Sequence, residues 1–245
     1  MASKSLLRKL IPIKRAIGDF DMIDDGERIA IGISGGKDSL TCLFALKTLL
    51  ATLPVKYELI AIAVDLGWNY VESNKYSYDE IRQYCTDNDI KFIVEKTQIS
   101  EIVFKHREES NPCSLCSKMR NGALINRAVR EGCNKIALGH HLDDVIETAL
   151  MSMFFSGKID AFMPKAYLDR MKVTYIRPLV YMREKDIISI AKSYNLPVIN
   201  INLCPADGNT KRQYVKNLIK EQESFDPEIP LRIFSAVKKD IWKIK

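Results

Sequence analysis

The sequence predicts an α/β fold built on a doubly wound, mostly parallel sheet. Short segments that are apolar throughout alternate with longer amphipathic segments, a pattern typical of parallel strands covered by helices on both faces. Clusters of glycine, serine and aspartate follow several of the apolar segments, where such sheets bind their ligands. A chain of 245 residues with 47% hydrophobic residues is long enough to bury one sizeable core.

The apolar segments and their helical partners can be placed along the chain. Strands are predicted over residues 28–33, 58–64, 91–95, 135–138 and 173–176. Helices are predicted after the first strand and over residues 76–88, 117–130, 142–155 and 184–194. This gives a main domain at residues 21–205, preceded by a basic helical arm at 1–20 and followed by a basic helical tail at 206–245.

The composition limits where the protein works. The longest apolar run, at residues 59–64, is far shorter than the roughly 18 residues of a membrane-spanning helix, so no membrane association is predicted. The first 20 residues lack the long apolar core of a secretion signal, and we therefore expect a cytoplasmic protein whose six cysteines stay reduced. The net charge of +6 fits a polyanionic partner without requiring one.

An anion-binding loop is predicted between the first strand and the helix that follows. Residues 34–39 read Ser-Gly-Gly-Lys-Asp-Ser, and the two glycines let backbone N–H groups approach phosphate oxygens at the start of a helix. Lys37 adds positive charge, and Ser34 and Ser39 add hydroxyl donors. The spacing matches neither the Walker A loop nor the dinucleotide-binding loop. The alternative is an ordinary strand–helix turn in which serine caps the helix.

Two further acidic turns follow predicted strands. After the fourth strand the sequence reads Gly-His-His-Leu-Asp-Asp at residues 139–144. Taken alone, Asp143 and Asp144 are better explained as acids that oppose the dipole of the helix beginning there, but beside the loop at residues 34–39 in one sheet a functional role is favoured. Asp65 closes the second strand, where it is interpreted either as a turn residue or as a ligand contact.

The cysteines divide into two groups. Cys113 and Cys116 form a C-x-x-C pair, which alone is compatible with a redox pair, half of a zinc site or half of an iron–sulfur site. No second C-x-x-C is present. Cys204 lies before a proline in an irregular stretch, and with the pair it would offer three thiolates to a cubane cluster. Three cysteines are interpreted as small buried core residues: Cys42, Cys85 and Cys133.

Together the motifs resemble those of the tRNA 2-thiocytidine synthetase family (TtcA), in the PP-loop ATP-pyrophosphatase superfamily. The resemblance rests on SGGKDS at 34–39, CSLCSKMR at 113–120, GHHLDD at 139–144 and the Cys-Pro pair at 204–205. It implies a tRNA-cytidine 2-sulfurtransferase acting on cytidine 32. Such an enzyme uses ATP to adenylate O2 of the base, releases pyrophosphate, and replaces the oxygen with sulfur as AMP leaves.

The resemblance also implies a role for each motif residue. The ATP contacts would be Ser34, Gly35, Gly36, Lys37, Asp38, Ser39, Val64, Asp65, Gly139 and His140. The catalytic residues would be Lys37, Asp38, Arg120, Asp143 and Asp144. A 4Fe–4S cluster would be held by Cys113, Cys116 and Cys204, and Mg²⁺ by Asp38, Asp143 and Asp144. His141 is interpreted as a structural residue, and Lys118 and Arg120 have the alternative of a solvated helix face.

The implied partners are tRNA, a sulfur donor such as a cysteine desulfurase, and a second copy of the chain in a homodimer. The basic side chains of residues 1–20 and of the tail are candidates for contacts with the RNA backbone. An extruded base would need an aromatic platform, for which four candidates are present: Trp68, Tyr70, Phe162 and Tyr167.

Two other functions remain compatible with the motifs. The first is a PP-loop sulfurtransferase that acts on another tRNA nucleoside or on a small metabolite. The second is a nucleotide-binding or iron–sulfur redox sensor that carries out no reaction. The presence of Lys37, Asp38, Asp143 and Asp144 together argues against the sensor.

Overall fold

A central six-stranded sheet organises the protein in a computed structural model, which describes residues 3–68, 77–106, 112–199 and 210–244. The strand order is β3-β2-β1-β4-β6-β5. All neighbouring strands are parallel except β5, which pairs antiparallel with β6. The predicted doubly wound, mostly parallel fold is confirmed. The strands are β1 Glu27–Ile33, β2 Tyr57–Asp65, β3 Lys91–Lys96, β4 Lys135–Ala137, β5 Lys165–Leu168 and β6 Val173–Ile176.

Helices cover both faces of this sheet, as expected for parallel strands joined by crossovers. The helices α5 and α10 continue directly into π-helical turns at Ile102–His106 and Val237–Ile241. The helices are α1 Lys4–Lys9, α2 Ile11–Asp19, α3 Lys37–Leu49, α4 Asp79–Asp87, α5 Ile99–Glu101, α6 Pro112–Arg130, α7 Leu142–Ser156, α8 Glu184–Ser193, α9 Lys211–Phe225 and α10 Ile229–Ala236.

Each face of the sheet has its own apolar cluster. The smaller cluster joins β1 and β2 to α6 and includes Ala30, Ile62 and Leu124. Gly32 belongs to this face, where a Cβ would lie 3.0 Å from Leu124, so the glycine lets α6 pack directly on β1. The larger cluster covers the opposite face and includes side chains of α2, α3, α7 and α8.

The two ends of the chain pack into the larger cluster. Leu10 is fully buried, and Trp242 is only 6% exposed. The Trp242 ring lies edge-on to Phe20 and Phe234, with centroid distances of 5.6 and 5.5 Å. Both ends are helical, as the sequence predicts, while the domain boundaries at residues 20 and 206 remain a prediction. Across the described ranges, no helix is long and apolar enough to cross a membrane.

The edge strand β5 is a feature that the sequence analysis missed. It has four residues, none of them fully buried, and it therefore lacks the continuous apolar run that marks the central strands. A turn containing Lys172 at φ 53° joins it to β6.

Candidate active site

The predicted anion-binding loop has a preformed hydrogen-bonded shape. The Oγ of Ser39 accepts from the N–H of Ser34 at 3.2 Å and donates to the carbonyl of Gly36 at 2.9 Å. Gly35 has φ of 85°, a conformation that favours glycine. No described side chain caps α3 at Gly36, so the first N–H groups of this helix are available to an anion.

Lys37 is held as a cation at the start of α3. Its Nζ lies 2.9 Å from Glu184 and 3.3 Å from Asp38. Burial acts to lower the pKa of Lys37, but both carboxylates oppose it and the net pKa is raised. Glu184 also accepts from Lys216 at 2.8 Å. Although burial opposes it, the two ammonium groups lower the pKa of Glu184 to about 2, so this acid remains ionised.

The second motif loop lies directly against the first. A Cβ at Gly139 would come within 2.8 Å of the backbone of Asp38 and Ser39. Real Cβ atoms essentially never approach backbone so closely, which means that only glycine allows the two loops to meet. The structure therefore brings Gly139 and its following residues to the start of α3.

His141 lies among the three acidic residues of these loops. It is buried, and its Nε2 lies 3.7 Å from Asp38 and 3.5 Å from Asp144. Its Nδ1 lies 3.7 Å from Asp143. The imidazole thus lies at the centre of the predicted catalytic acids. Its burial agrees with the interpretation of His141 as a structural residue.

Asp143 binds the start of α8. One carboxylate oxygen accepts from Arg183 Nε at 3.0 Å, and the other accepts from the N–H of Glu184 at 2.7 Å. Arg183 in turn binds Glu223 of α9 at 2.9 and 3.0 Å. Both oxygens of Asp143 are therefore engaged with protein groups.

Asp144 is tied to α9 through a shared arginine. Arg212 Nη1 lies 3.0 Å from Asp144 and 3.3 Å from Glu147, while Asp144 also accepts from the N–H of His141 at 3.0 Å. Glu147 is buried, and this burial raises its pKa to about 7 despite the nearby arginine. The first turn of α9 thus contributes a cation to the predicted catalytic acids.

Asp38 is the acid best suited to hold Mg²⁺. Its Oδ1 is buried without a hydrogen-bond partner among the described groups. No three His, Cys, Asp or Glu side chains in the described ranges form a ready metal site. Mg²⁺ commonly binds through one or two carboxylates with substrate phosphates completing its shell. This Oδ1 lies 3.3 Å from Lys37 Nζ beside a phosphate loop, and a carboxylate oxygen without a hydrogen-bond partner there fits this mode of binding.

His140 is oriented by a buried arginine. Arg177 Nε donates to His140 Nδ1 at 3.3 Å, and Arg177 Nη1 donates to the carbonyl of Met163 at 2.6 Å. The guanidinium lies 4.9 Å from the ring centre of Phe162 and 5.7 Å from that of Tyr175. Burial, with a further effect of Arg177, lowers the pKa of His140 to about 4. The imidazole is therefore neutral at pH 7.

Val64 and Asp65 lie beside the phosphate loop at the same edge of the sheet. The register pairs Ile33 with Ala63, so Val64 is level with the first loop residue. Asp65 accepts from the N–H of Gly67 at 3.0 Å. Both predicted nucleotide contacts thus occupy the carboxyl end of the strand next to β1.

The C-x-x-C pair occupies the first turns of α6. Cys113 is exposed and Cys116 is half-buried. Arg120 is also exposed, and positions 113, 116 and 120 share one face because of their helical spacing. Cys204 lies outside the described residues, so the predicted three-cysteine ligand set is not tested.

The start of α6 projects beyond the carboxyl edge of the sheet. Leu124 packs at Gly32 near the end of β1, while Asn134, after the helix, bonds to Arg28 near its beginning. The helix therefore runs antiparallel to β1. At about 1.5 Å per residue, Cys116 and Cys113 lie roughly 12 to 16 Å beyond Leu124 along the axis, on the side of the sheet where the phosphate loop lies.

The other three described cysteines are buried, as predicted. Burial raises the pKa of the Cys42 thiol to about 12 and those of Cys85 and Cys133 to about 11. Because metal ligation needs the thiolate, these cysteines are poor ligands. The pair on α6, with Cys113 exposed and Cys116 half-buried, is less buried and fits a cluster ligand set.

The described aromatic candidates for a base-stacking platform lie in different environments. Trp68 is 5% exposed and packs against Phe104, so its ring is not offered at the surface. Phe162 packs on His140, with ring centres 5.1 Å apart. Tyr167 is exposed on β5, and Tyr70 lies outside the described residues.

Several residues of the site were missed in the sequence analysis. Arg177, Arg183 and Glu184 follow β6 at the carboxyl edge of the sheet, so their position was a usable signal. Two other residues lack such a signal, because they reach the site from the distant helix α9: Arg212 and Lys216.

Comparison with known proteins identifies the family. A sequence model of the PP-loop domain matches residues 9–223. A protein of Citrifermentans bemidjiense named tRNA-cytidine(32) 2-sulfurtransferase is 38% identical over 92% of this chain and 87% of its own length. Proteins of the same name from Geotalea daltonii and Alcanivorax borkumensis are 40% and 38% identical, covering 92% and 91% of this chain and 88% and 78% of their own lengths.

Solved structures agree on the fold. The U34-tRNA thiolase NcsA from Methanococcus maripaludis, solved with its [4Fe-4S] cluster, superposes with a TM-score of 0.79 at 22% identity, covering 98% of this chain and 80% of that one. The NH3-dependent NAD synthetase from Campylobacter jejuni reaches a TM-score of 0.50 at 16% identity, covering 100% and 97%. From the domain match and the relatives' identity and coverage, this chain belongs to the PP-loop domain family and, within it, to the family of the tRNA-cytidine(32) 2-sulfurtransferases.

Proposed function

We propose that this protein is an ATP-dependent tRNA-cytidine 2-sulfurtransferase that acts on position 32 of tRNA. The observation that carries the proposal is the contact at Gly139, where two motif loops meet within van der Waals distance. This contact joins a phosphate loop and a group of acids in one cleft. The relatives' shared activity name supplies the substrate class.

The first step would join the target base to AMP. The loop of residues 34–39 and Lys37 would bind the phosphates of ATP, while Val64, Asp65, Gly139 and His140 would contact the nucleotide. The O2 atom of cytidine attacks the α-phosphorus, the bond to the β-phosphate oxygen breaks, and pyrophosphate leaves. Lys37 and the helix N–H groups would offset the negative charge that develops on the phosphates.

Asp38 supports a role for Mg²⁺ in this step. Its Oδ1, which has no hydrogen-bond partner among the described groups, would bind the metal together with phosphate oxygens, and Asp143 or Asp144 would complete the acidic surroundings. When bound, Mg²⁺ neutralises phosphate charge and orients the leaving pyrophosphate.

The second step would replace the activated oxygen. A sulfur nucleophile adds to C2, the C2–O bond breaks, and AMP departs with the oxygen. Cys113, Cys116 and Cys204 would hold a 4Fe–4S cluster, which when bound supplies an iron with an open position for sulfide. Arg120, on the face of α6 that carries both cysteines, would stabilise the charge on the departing AMP.

The partners follow from this reaction. The sulfur would come from a donor such as a cysteine desulfurase, and a homodimer is proposed on the family resemblance alone. We place the reaction in the cytoplasm, where tRNA is modified. The basic side chains of residues 1–20 and of the tail would contact the RNA backbone, apart from Arg212 and Lys216, which pair with acids of the site.

The test is a reconstituted reaction with anaerobically purified protein, ATP, sulfide and tRNA. Nucleoside mass spectrometry should find 2-thiocytidine in tRNA with cytidine at position 32 and none in tRNA with uridine there, and AMP should form in equal amount. Thiolation of another nucleoside would favour the broader sulfurtransferase. A failure of tRNA to stimulate AMP formation would favour the non-enzymatic sensor.

The ligand set is tested by counting iron and acid-labile sulfide. Cys113→Ser, Cys116→Ser and Cys204→Ser should each lose the cluster. Cys133→Ala, which changes a buried cysteine, is the matched control and should retain it. Stoichiometric zinc in place of iron in the wild type would contradict the proposed cluster.

A further inference from the structure

A surface groove lies between the end of α7 and the beginning of α9. It has a volume of about 760 Å³, within the range of about 300–1,000 Å³ typical of small-ligand sites. Its lining is formed by Phe154, Phe155, Thr210, Lys211, Gln213, Tyr214, Asn217 and Leu218. None of these lining side chains belongs to the motifs that identify the cleft.

The groove presents aromatic rings to solvent. Phe154, Phe155 and Tyr214 are 51%, 41% and 61% exposed. Phe155 lies edge-on to both of the others, at centroid distances of 6.4 and 6.5 Å. Exposed aromatic residues that cluster in this way are not explained by the core and indicate a binding surface.

The polar lining complements a nucleotide. Lys211 Nζ lies 4.7 Å from the centre of the Phe155 ring, and none of the lining residues that the structure describes is acidic. Gln213 and Asn217 add amide groups that are hydrogen-bonded to one another at 2.9 Å. A stacking ring, a cation and amides are the groups with which proteins bind unpaired nucleotides.

The groove and the candidate active site share the first turn of α9. Arg212 directly follows Lys211, and its guanidinium reaches Asp144 and Glu147. One turn of helix therefore carries both a groove residue and a contact to the predicted catalytic acids.

We propose that an unpaired nucleotide of the tRNA substrate docks in this groove, with its base stacked on Tyr214 and its phosphate beside Lys211. This inference rests on the proposed function, since it locates a contact of the same substrate. The loops of tRNA contain the unpaired bases that such a stacking site requires.

A second copy of the chain fits the groove less well. Eight residues line it, whereas each side of a stable protein–protein interface contributes about 20–30 residues. The cation and the amides in the lining also favour a polyanion over an apolar partner surface.

The experiment measures RNA affinity by fluorescence anisotropy. The probes are an RNA stem-loop with seven unpaired nucleotides and a fully paired duplex of the same stem. Tyr214→Ala should weaken stem-loop binding about 10-fold, as expected for the loss of one stacked base, and change duplex binding little. Lys211→Gln should lower the slope of log affinity against log salt by about one. Phe225→Ala is the matched control, because Phe225 lies on the same helix and is 87% exposed.

The possible outcomes test the groove separately from the proposed function. Equal stem-loop affinity for Tyr214→Ala and Phe225→Ala, with both folded by circular dichroism, would overturn the groove while leaving the sulfurtransferase proposal intact. Failure of the wild type to bind or thiolate tRNA would overturn the proposed function instead. If Tyr214→Ala converts a dimer to a monomer in sedimentation without weakening stem-loop binding, the groove is an interface between copies and the inference is wrong.

Discussion

Arg177 shows how a single buried residue can set the protonation state of a neighbouring histidine, His140. Its charge lies between two aromatic rings instead of opposite a described carboxylate, and burial lowers its own pKa to about 10. Its Nε–H points at His140 Nδ1, which must therefore carry a lone pair. The proton of the neutral imidazole then lies on Nε2, as a donor without charge.

We predict that Arg177→Met raises the pKa of His140 from about 4 toward the ordinary value near 6.5. The substitution removes the adjacent positive charge and the donor to Nδ1, so the Nδ1–H tautomer should also become populated. Nitrogen-15 spectra of labelled histidine report both changes, and the chain has only three histidines. The exposed His106 is an internal reference. An Arg177→Lys protein keeps the charge but loses the planar donor, so its tautomer should relax while its pKa stays low.

Glu147 should make the stability of the protein depend on pH. Its folded pKa of about 7 is above its ordinary value near 4.5, so the folded state binds a proton more tightly than the unfolded state between these values. Stability therefore falls as pH rises from about 4.5 to 7, by at most about 3 kcal/mol, and does not change further above that range.

We predict that Glu147→Gln removes this dependence. Glutamine keeps the shape without the buried charge, so the variant should be close to the wild type at pH 5 and more stable at pH 8. Urea unfolding at the two pH values measures the difference. The prediction fails if the stability difference between variant and wild type is the same at both.

At the scale of elements, the meeting of two loops determines the cleft. The phosphate loop and α3 can approach the loop after β4 only because Gly139 has no side chain. The order of the strands alone predicts that both loops lie at one edge of the sheet, but the distance between the loops depends on backbone atoms that no sequence pattern reports.

We predict that Gly139→Ala weakens binding of an ATP analogue with Mg²⁺ at least 10-fold, because the new methyl group must push the start of α3 away from its place. Calorimetry measures the affinity directly. Gly122→Ala is the matched control, since a Cβ at this position of α6 meets nothing within 4 Å. Alanine there should stabilise the helix by about 0.5–1 kcal/mol and leave nucleotide affinity unchanged. If the two variants bind the nucleotide with equal affinity, nucleotide binding does not depend on the close contact between the two loops, and the prediction is wrong.

The elements that sequence patterns predicted are those with continuous apolar runs. β1 and β2 are buried over most of their length, and this burial is what makes their sequences recognisable. The edge strand β5 is half-exposed and carries no such pattern. The helix α9 was expected only as part of a basic tail, because nothing local indicates that Arg212 or Lys216 faces acids of α7 and α8.

At the scale of the whole molecule, the two chain ends complete the core on one face of the sheet. Trp242 contacts Phe20 from the beginning of the chain and Phe234 of α10, and its indole N–H donates to the carbonyl of Phe162 at 3.1 Å. The basic side chains of both ends suggest that these helical segments contact RNA. Both ends also have apolar faces, which the charge pattern does not reveal and which pack into the core.

We predict that Trp242→Ala lowers the free energy of unfolding by about 3–5 kcal/mol, the usual cost of removing a large buried aromatic side chain. Because Trp242 bridges both ends of the chain, the loss should appear in one cooperative transition of the whole protein, and not as early melting of the tail. Urea unfolding followed by far-ultraviolet circular dichroism measures it. Phe225→Ala, at a residue that is 87% exposed, should change stability by less than about 0.5 kcal/mol. A loss below about 1 kcal/mol for Trp242→Ala would mean that the ends are appendages, and that the sheet and its crossover helices fold without them.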